Sequence, residues 1–135
     1  MHRHDDPLRQ IPLFAGLSAK ELEHIHRIAT TLSVKAGDVL MEEGAVSHEM
    51  VIVISATLEV TRQGQHIADI GKGGFAGEIG LLCHRPRNSR VTVQTDGEVL
   101  HIDGRGFSAV LEDVPQLAVK MLPIVAERAS HTEHD

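Results

Sequence analysis

Gly73-Gly74-Phe75-Ala76-Gly77-Glu78-Ile79-Gly80-Leu81-Leu82, followed by Pro86-Arg87-Asn88-Ser89-Arg90-Val91, decides how the rest of the chain is read. The stretch places an acid and an arginine around a short helix that starts at Glu78. The first N–H groups of a helix have no intrahelical acceptors, and the aligned peptide dipoles add positive potential, so such a start favours an anion. Arg87 can hold phosphate oxygens with two parallel N–H donors, a geometry that lysine lacks. Glu78 would repel a phosphate; its natural partner is a neighbouring hydroxyl, as on a ribose. Phosphate and ribose hydroxyl within one small loop imply a nucleotide. A Gly-Glu pair alone often just starts a helix, and a lone arginine is usually a surface cation. The apolar segment between them and the turn at Pro86 make the combination a ligand site. Buried without a ligand, the two charges would cost on the order of several kcal/mol in desolvation.

The flanks of this stretch are rich in β-forming residues. Short runs at Val39 to Met41, Met50 to Ile54, Thr57 to Thr61, His66 to Ile70, Val91 to Thr95 and Val99 to Asp103 are predicted as strands. Ala36-Gly37-Asp38, Glu43-Gly44, Gln63-Gly64, Asp69 to Gly74 and Asp96-Gly97 separate them as turns. Many short strands at this spacing predict an antiparallel barrel or jelly roll. The helix at Glu78 to Leu82 interrupts the series.

Helical periodicity brackets the strands. Ser18 with Glu21 reads as a capping box and Leu17 with Leu22 as its hydrophobic staple, predicting a helix from about Ala19 to Thr30. After Asp103, Phe107, Val110 and Leu111 mark one short helix. Pro115 opens a second, with Leu117, Ala118, Met121, Leu122, Val125 and Ala126 along its apolar stripe. Pro123 falls inside that pattern and predicts a kink.

Composition narrows the function classes. A chain of 135 residues is large enough for one core, and 41% hydrophobic with 24% charged residues is ordinary for a soluble globular protein. A net charge of −6 argues against a nucleic-acid groove, which needs a concentrated basic face. Tyr and Trp are absent, which excludes the usual aromatic platform for single strands. No apolar run approaches membrane-spanning length, and the start has no signal-peptide core. The only cysteine, Cys83, cannot form an internal disulfide, which fits a reducing cytoplasm.

With these motifs in hand, the chain resembles the cyclic nucleotide-binding domain shared by catabolite activator proteins and the regulatory subunits of cAMP-dependent protein kinase. Ile11-Pro12-Leu13-Phe14 with Leu17-Ser18, Ala36-Gly37-Asp38-Val39-Leu40 with Glu43-Gly44, and above all the stretch from Gly73 to Val91 carry the resemblance. It implies a mainly β fold, an eight-stranded antiparallel β-roll (jelly-roll-like) with an N-terminal helix, a phosphate-binding cassette helix and C-terminal helices. The organisation expected is one domain over 1–135: a flexible start at 1–10, a helical segment at 11–30, the roll at 31–103 with its cassette at 73–91, and C-terminal helices at 104–135.

The resemblance also implies roles. Glu78, after Gly77, takes the ribose 2′-hydroxyl and Arg87 the cyclic phosphate; backbone N–H groups around Ile79, Gly80 and Ser89 complete the cradle. Ile67 and Ala68 line the pocket, and Arg128 and Thr132 fall where the C-terminal helix reaches the ligand. Asn88 stands where Thr accompanies cGMP preference and Ser or Ala accompany cAMP binding, and an amide can serve either base. Three further departures are Ala56 for the usual Gly, Ala76 for a bulkier apolar residue, and Arg90 for a small hydroxyl residue, its side chain expected in solvent.

The expected function is therefore a cytoplasmic receptor for a cyclic nucleotide, cAMP ahead of cGMP, that transmits binding through its C-terminal helix. It needs no cofactor, is not an enzyme, and works with an effector protein or a fused effector domain. A homodimer through the C-terminal helix is a further expectation; direct nucleic-acid or membrane contact is not. In transcription regulators of this family a helix-turn-helix follows the last helix, where this sequence stops at Asp135, so a stand-alone module and the regulatory part of something longer both stay open. The rival readings are a degenerate β-roll that acts as a protein scaffold and a cupin-like metal enzyme. Ten histidines invite the latter, but His24 and His26 are two apart on a helix and diverge, and His48-Glu49 lacks further ligands. His2, His4, His131 and His134 are terminal and expected in solvent. Cys83 reads as a buried structural thiol.

Overall fold

The computed structural model describes residues 7–46, 48–83 and 85–133, with Pro7 and 131–133 as backbone only. The start at Met1 to Asp6, His134 and the side chains of His131 and Thr132 thus lie outside the described residues.

Two 3-10 turns, Pro7–Gln10 and Pro12–Phe14, lead into α1 (Ala19–Ile28). Its capping box is complete: Glu21 N–H donates to Ser18 Oγ at 3.1 Å, and Ser18 N–H donates to Glu21 Oε1 at 2.9 Å. The helix ends before the expected Thr30. Ala29 is already extended at φ −113° and ψ 156°, and the β-branched Thr30 opens a strand, β1 (Thr30–Val34). That strand was not expected, because only Val34 of its five residues is buried and no apolar alternation marks it.

The remaining strands are β2 (Val39–Met41), β3 (Glu49–Val53), β4 (Thr57–Arg62), β5 (Gln65–Ile70), the two-residue β6 (Phe75–Ala76), β7 (Arg90–Thr95) and β8 (Gly97–Asp103). They form two four-stranded antiparallel sheets, ordered β1-β8-β3-β6 and β2-β7-β4-β5. The β4–β5 turn places both Gln63 (φ 52°) and Gly64 (φ 78°) in the left-handed region, as a two-residue hairpin turn with the sheet's twist requires. Gln63 is the only non-glycine among the described residues with positive φ, so Ala56 bears no such strain.

Strands β3 and β8 are apolar on both faces because they separate two cores. Met50, Ile52, Leu100 and Ile102 face the helices, together with Phe14, Leu22, Ile25, Phe107 and Leu117. Val51, Val53 and Val99 face the opposite sheet and meet Leu58, Val91 and Val93. Full burial of each such side chain contributes roughly 1.5–3 kcal/mol.

On the helical side, α2 (Glu78–Cys83) follows β6, and α3 (Gly104–Asp113) follows β8, capped where Asp103 Oδ1 accepts from Gly106 N–H at 2.7 Å. Cys83 is exposed rather than buried as expected, because the short α2 buries Glu78, Gly80 and Leu81 and leaves its last residue in solvent. The last helix, α4 (Pro115–Glu133), runs without interruption through Pro123. Lys120 on α4 donates to the carbonyls of Pro12 and Ala15, which ties the helix to the N-terminal turns.

Candidate functional site

Two glycines set the site's geometry. Gly77 joins β6 to α2 at φ 98°, and a Cβ there would lie 2.6 Å from Met41 Cε and 2.7 Å from the Glu49 carbonyl oxygen. Only glycine fits so sharp a turn against β3. Gly80 faces Arg87 so closely that a Cβ would lie 2.5 Å from its Nη1. The missing side chain lets the guanidinium lie against α2.

The acid and the arginine read from the sequence are the two polar residues buried among those described, Glu78 at 1% and Arg87 at 7% exposure. Arg87 Nη1 donates to the Gly77 carbonyl at 2.7 Å, and Nη2 donates to the Glu49 carbonyl. The backbone of Arg87 is fixed as well: its N–H donates to the Ala45 carbonyl at 2.8 Å, and its carbonyl accepts from Gly44 N–H at 2.7 Å. Burial pulls the Arg87 pKa below its ordinary value, with Glu49 and Glu78 opposing the change. An arginine stays charged through such a shift.

Glu78 is held from the far end of the chain. Its Oε1 accepts from Arg128 Nη1 at 2.8 Å, while Oε2 is buried with no hydrogen-bond partner among the described residues. Arg128 comes from α4, and its guanidinium carbon lies 4.7 Å from the centroid of the Phe75 ring, a cation–π contact. Thus α4 touches the cassette at both Glu78 and Phe75.

These groups line one cavity of about 730 Å³. Gly77, Glu78, Ile79, Gly80, Arg87, Asn88, Ser89, Ile67, Ala68 and Arg128 all belong to its wall. Thr132 lies one turn beyond Arg128 on α4, with its side chain outside the described residues. Arg90 is not in the wall; it turns away and pairs with Glu42 at 2.6 Å, both about half exposed. The wall also holds residues the sequence did not single out, among them Met41, Val60, Arg62, Asp69 and Arg85. Alternation along β4 was a usable signal, since Leu58, Val60 and Arg62 share one face.

The model of the cyclic nucleotide-binding domain matches residues 31–114, which takes in both sheets except Thr30, the cassette and all of α3. The chain belongs to the cyclic nucleotide-binding domain family. Among the family's curated members it is similar to a cAMP-dependent protein kinase regulatory subunit of Yarrowia lipolytica, 28% identical over 113 residues, covering 82% of this chain and 30% of that protein. It is also similar to a cyclic nucleotide-gated potassium channel of Rhizobium etli, 27% identical over 118 residues, covering 87% of this chain and 33% of the channel. The chain thus spans about a third of the length of these relatives. Its fold matches the catabolite activator protein of Thermus thermophilus with a TM-score of 0.77 at 22% identity, over 90% of this chain and 60% of that one. The β-roll fold and the membership in a family of regulatory domains therefore stand. Among the described residues no helix is long and apolar enough to cross a membrane, and no group of His, Cys, Asp and Glu could hold a metal.

Proposed function

We propose that this domain is a cyclic nucleotide receptor, with cAMP preferred over cGMP, that passes binding to an effector through α4. One observation carries the reading: a carboxylate oxygen, Glu78 Oε2, is buried in the cavity wall with no partner among the described residues, in the same cavity as a buried guanidinium. A buried, unpaired carboxylate oxygen is costly in an apolar setting, and a sugar hydroxyl would complete it. Arg87, fixed by its backbone and by two carbonyls, takes the cyclic phosphate; Ile67, Ala68 and Val60 pack on the base, and Asn88 reads its edge.

Transmission rests on Arg128. Its bond to Glu78 joins the helix to the residue that meets the ribose, so ligand binding and the placement of α4 share a group. A ligand can bias α4 only by its differential affinity for two placements of it, and an effector that grips one placement changes ligand affinity by the same factor. Val119 and Leu122 on α4 are 66% and 63% exposed, which supports a protein contact there, to an effector or to a second copy. Relatives named as a kinase regulatory subunit and as a gated channel support a regulatory rather than catalytic role. The lone Cys83 supports a cytoplasmic setting.

Calorimetry with cAMP and with cGMP tests the reading. Saturable binding of cAMP, tighter than cGMP, is expected. Binding of neither, with no thermal shift, overturns it in favour of a ligand-free scaffold.

A further inference from the structure

Arg62 ends β4, two residues beyond Val60 and four beyond the fully buried Leu58, so all three point to one side of the sheet. Val60 and Arg62 line the cavity. The guanidinium reaches across to the residues just after Arg87. Its Nε donates to the Asn88 carbonyl at 3.0 Å, and its Nη2 donates to Ser89 Oγ at 3.3 Å. Ser89 Oγ in turn donates to Asn88 Oδ1 at 3.2 Å. A guanidinium can only donate, so the relay from Arg62 through Ser89 to Asn88 has one direction.

The other contacts on this stretch differ in kind. Gly44 and Ala45 hold the backbone of Arg87, and Glu42 holds the half-exposed Arg90 outside the cavity. Of these contacts, only those of Arg62 come from the cavity wall and reach the polar atoms of Asn88 and Ser89. A fork that binds a carbonyl and a hydroxyl together fixes a turn better than a single point charge does.

We propose that Arg62 is a positioning residue for ligand recognition: from β4 it fixes the Asn88 carbonyl and the Ser89 hydroxyl, presetting the end of the cassette that follows Arg87. The inference rests on the cyclic-nucleotide reading of the cavity. Its energetic logic is preorganisation, since a turn already held costs the ligand less to order. The groups it presets adjoin the phosphate arginine, so both nucleotides lose affinity, by factors that differ to the extent that Asn88, where the relay ends, reads the base.

Calorimetry on the whole chain with cAMP and cGMP, for the wild type, Arg62→Gln, Arg62→Lys, Ser89→Ala and the Gln/Ala double variant, tests it. Arg62→Gln is expected to weaken both ligands, each by about tenfold, the worth of one or two hydrogen bonds. Arg62→Lys, which keeps the charge but loses the fork, is expected to remain about as weak. In the Ser89→Ala background Arg62→Gln is expected to cost only about threefold or less, because part of the relay is already gone. A melt of each ligand-free variant identifies any that fold poorly, and the lysine variant then carries the cycle in place of the glutamine. Unchanged affinity, full rescue by lysine, a loss confined to one base, or additive effects with Ser89→Ala overturns the proposal alone. A wild type that binds neither nucleotide overturns the parent reading and this one with it.

Discussion

Replacing Arg128 with alanine removes the hydrogen bond that joins α4 to the buried carboxylate of Glu78. The side chain makes a charge-assisted hydrogen bond at 2.8 Å to Glu78 Oε1 and a cation–π contact at 4.7 Å to Phe75. The first contributes about 1.5–3 kcal/mol and the second about 0.5–1 kcal/mol in comparable settings. The two ends of the bond differ, since the Glu78 side chain is 1% exposed and that of Arg128 33% exposed. Solvent at the arginine end screens the pair, which places the total at the lower limit of that sum, about 2 kcal/mol. Removing only the cation also leaves the carboxylate buried with less compensation, which keeps the cost from falling to that of a surface pair.

For a domain of this size about 2 kcal/mol corresponds to a fall in Tm of roughly 6–10 °C. Urea melts of the ligand-free protein should show the same loss with an unchanged slope, because the fold is kept. A cycle with Glu78→Gln isolates the pair: the Arg128→Ala cost should drop by about 1 kcal/mol or more once the carboxylate charge is gone. Calorimetry on the same variant should show weaker cyclic nucleotide binding, since Glu78 is no longer held. A Tm change below about 2 °C together with an additive cycle would refute the claim that this bond couples α4 to the cassette.

Three other outcomes follow from the same geometry. Arg87→Ala should weaken cyclic nucleotide binding at least tenfold, about 1.4 kcal/mol, in calorimetry; a smaller loss means Arg87 is not the phosphate clamp. Gly77→Ala should destabilise the domain by about 3 kcal/mol or more in denaturant, because it combines φ 98° with a collision at the Glu49 carbonyl that Arg87 also uses. His66 has its pKa raised above 6.5, chiefly by a hydrogen bond to Glu59 and further by Asp69. Because the folded value is the higher one, its stabilising contribution is present below the unfolded pKa and fades as pH rises through the folded pKa. NMR titration of His66 in the wild type and in Glu59→Gln should show that value falling back in the variant.

The sequence disclosed different parts of this molecule to different degrees, for physical reasons. Glu78 and Arg87 were legible because a glycine turn, an acid and an arginine within one short stretch fit few purposes other than a phosphorylated ligand. Strands β3, β4, β5, β7 and β8 were legible because turn residues bound their β-branched runs. Strand β1 was not, since only Val34 of its five residues is buried, and it is a strand because β8 pairs with its whole length, from Thr30↔His101 to Val34↔Gly97. Strand β6 has two residues and exists through its register with Val51 and Ile52. Alternation with Leu58 and Val60 hinted at the face of Arg62, but its bonds to Asn88 and Ser89, 26 and 27 residues away, needed the fold. For Arg128 the resemblance implied a place near the ligand, but its bond to Glu78 links positions too far apart in sequence for any local pattern to reveal.

Under the proposed function, that bond also bears on how binding would reach α4. Two of the ties that hold helix α4 lie in its first half, where Lys120 donates to Pro12 and Ala15, and near its end, where Arg128 meets Glu78 and Phe75. The two anchors differ in their surroundings. The first joins the helix to a segment whose Leu13 and Phe14 are part of the helical core, so releasing it disturbs packing. The second joins it to a six-residue helix in the wall of the cavity, through a side chain a third exposed. A ligand that engages Glu78 acts on the second anchor without touching the first. Motion driven from the cavity should therefore begin at the C-terminal end of α4, with the Lys120 end as its pivot. Hydrogen exchange checks this directly: cyclic nucleotide should change protection around Arg128 more than around Lys120, and equal changes along the helix would mean that it moves as a rigid unit.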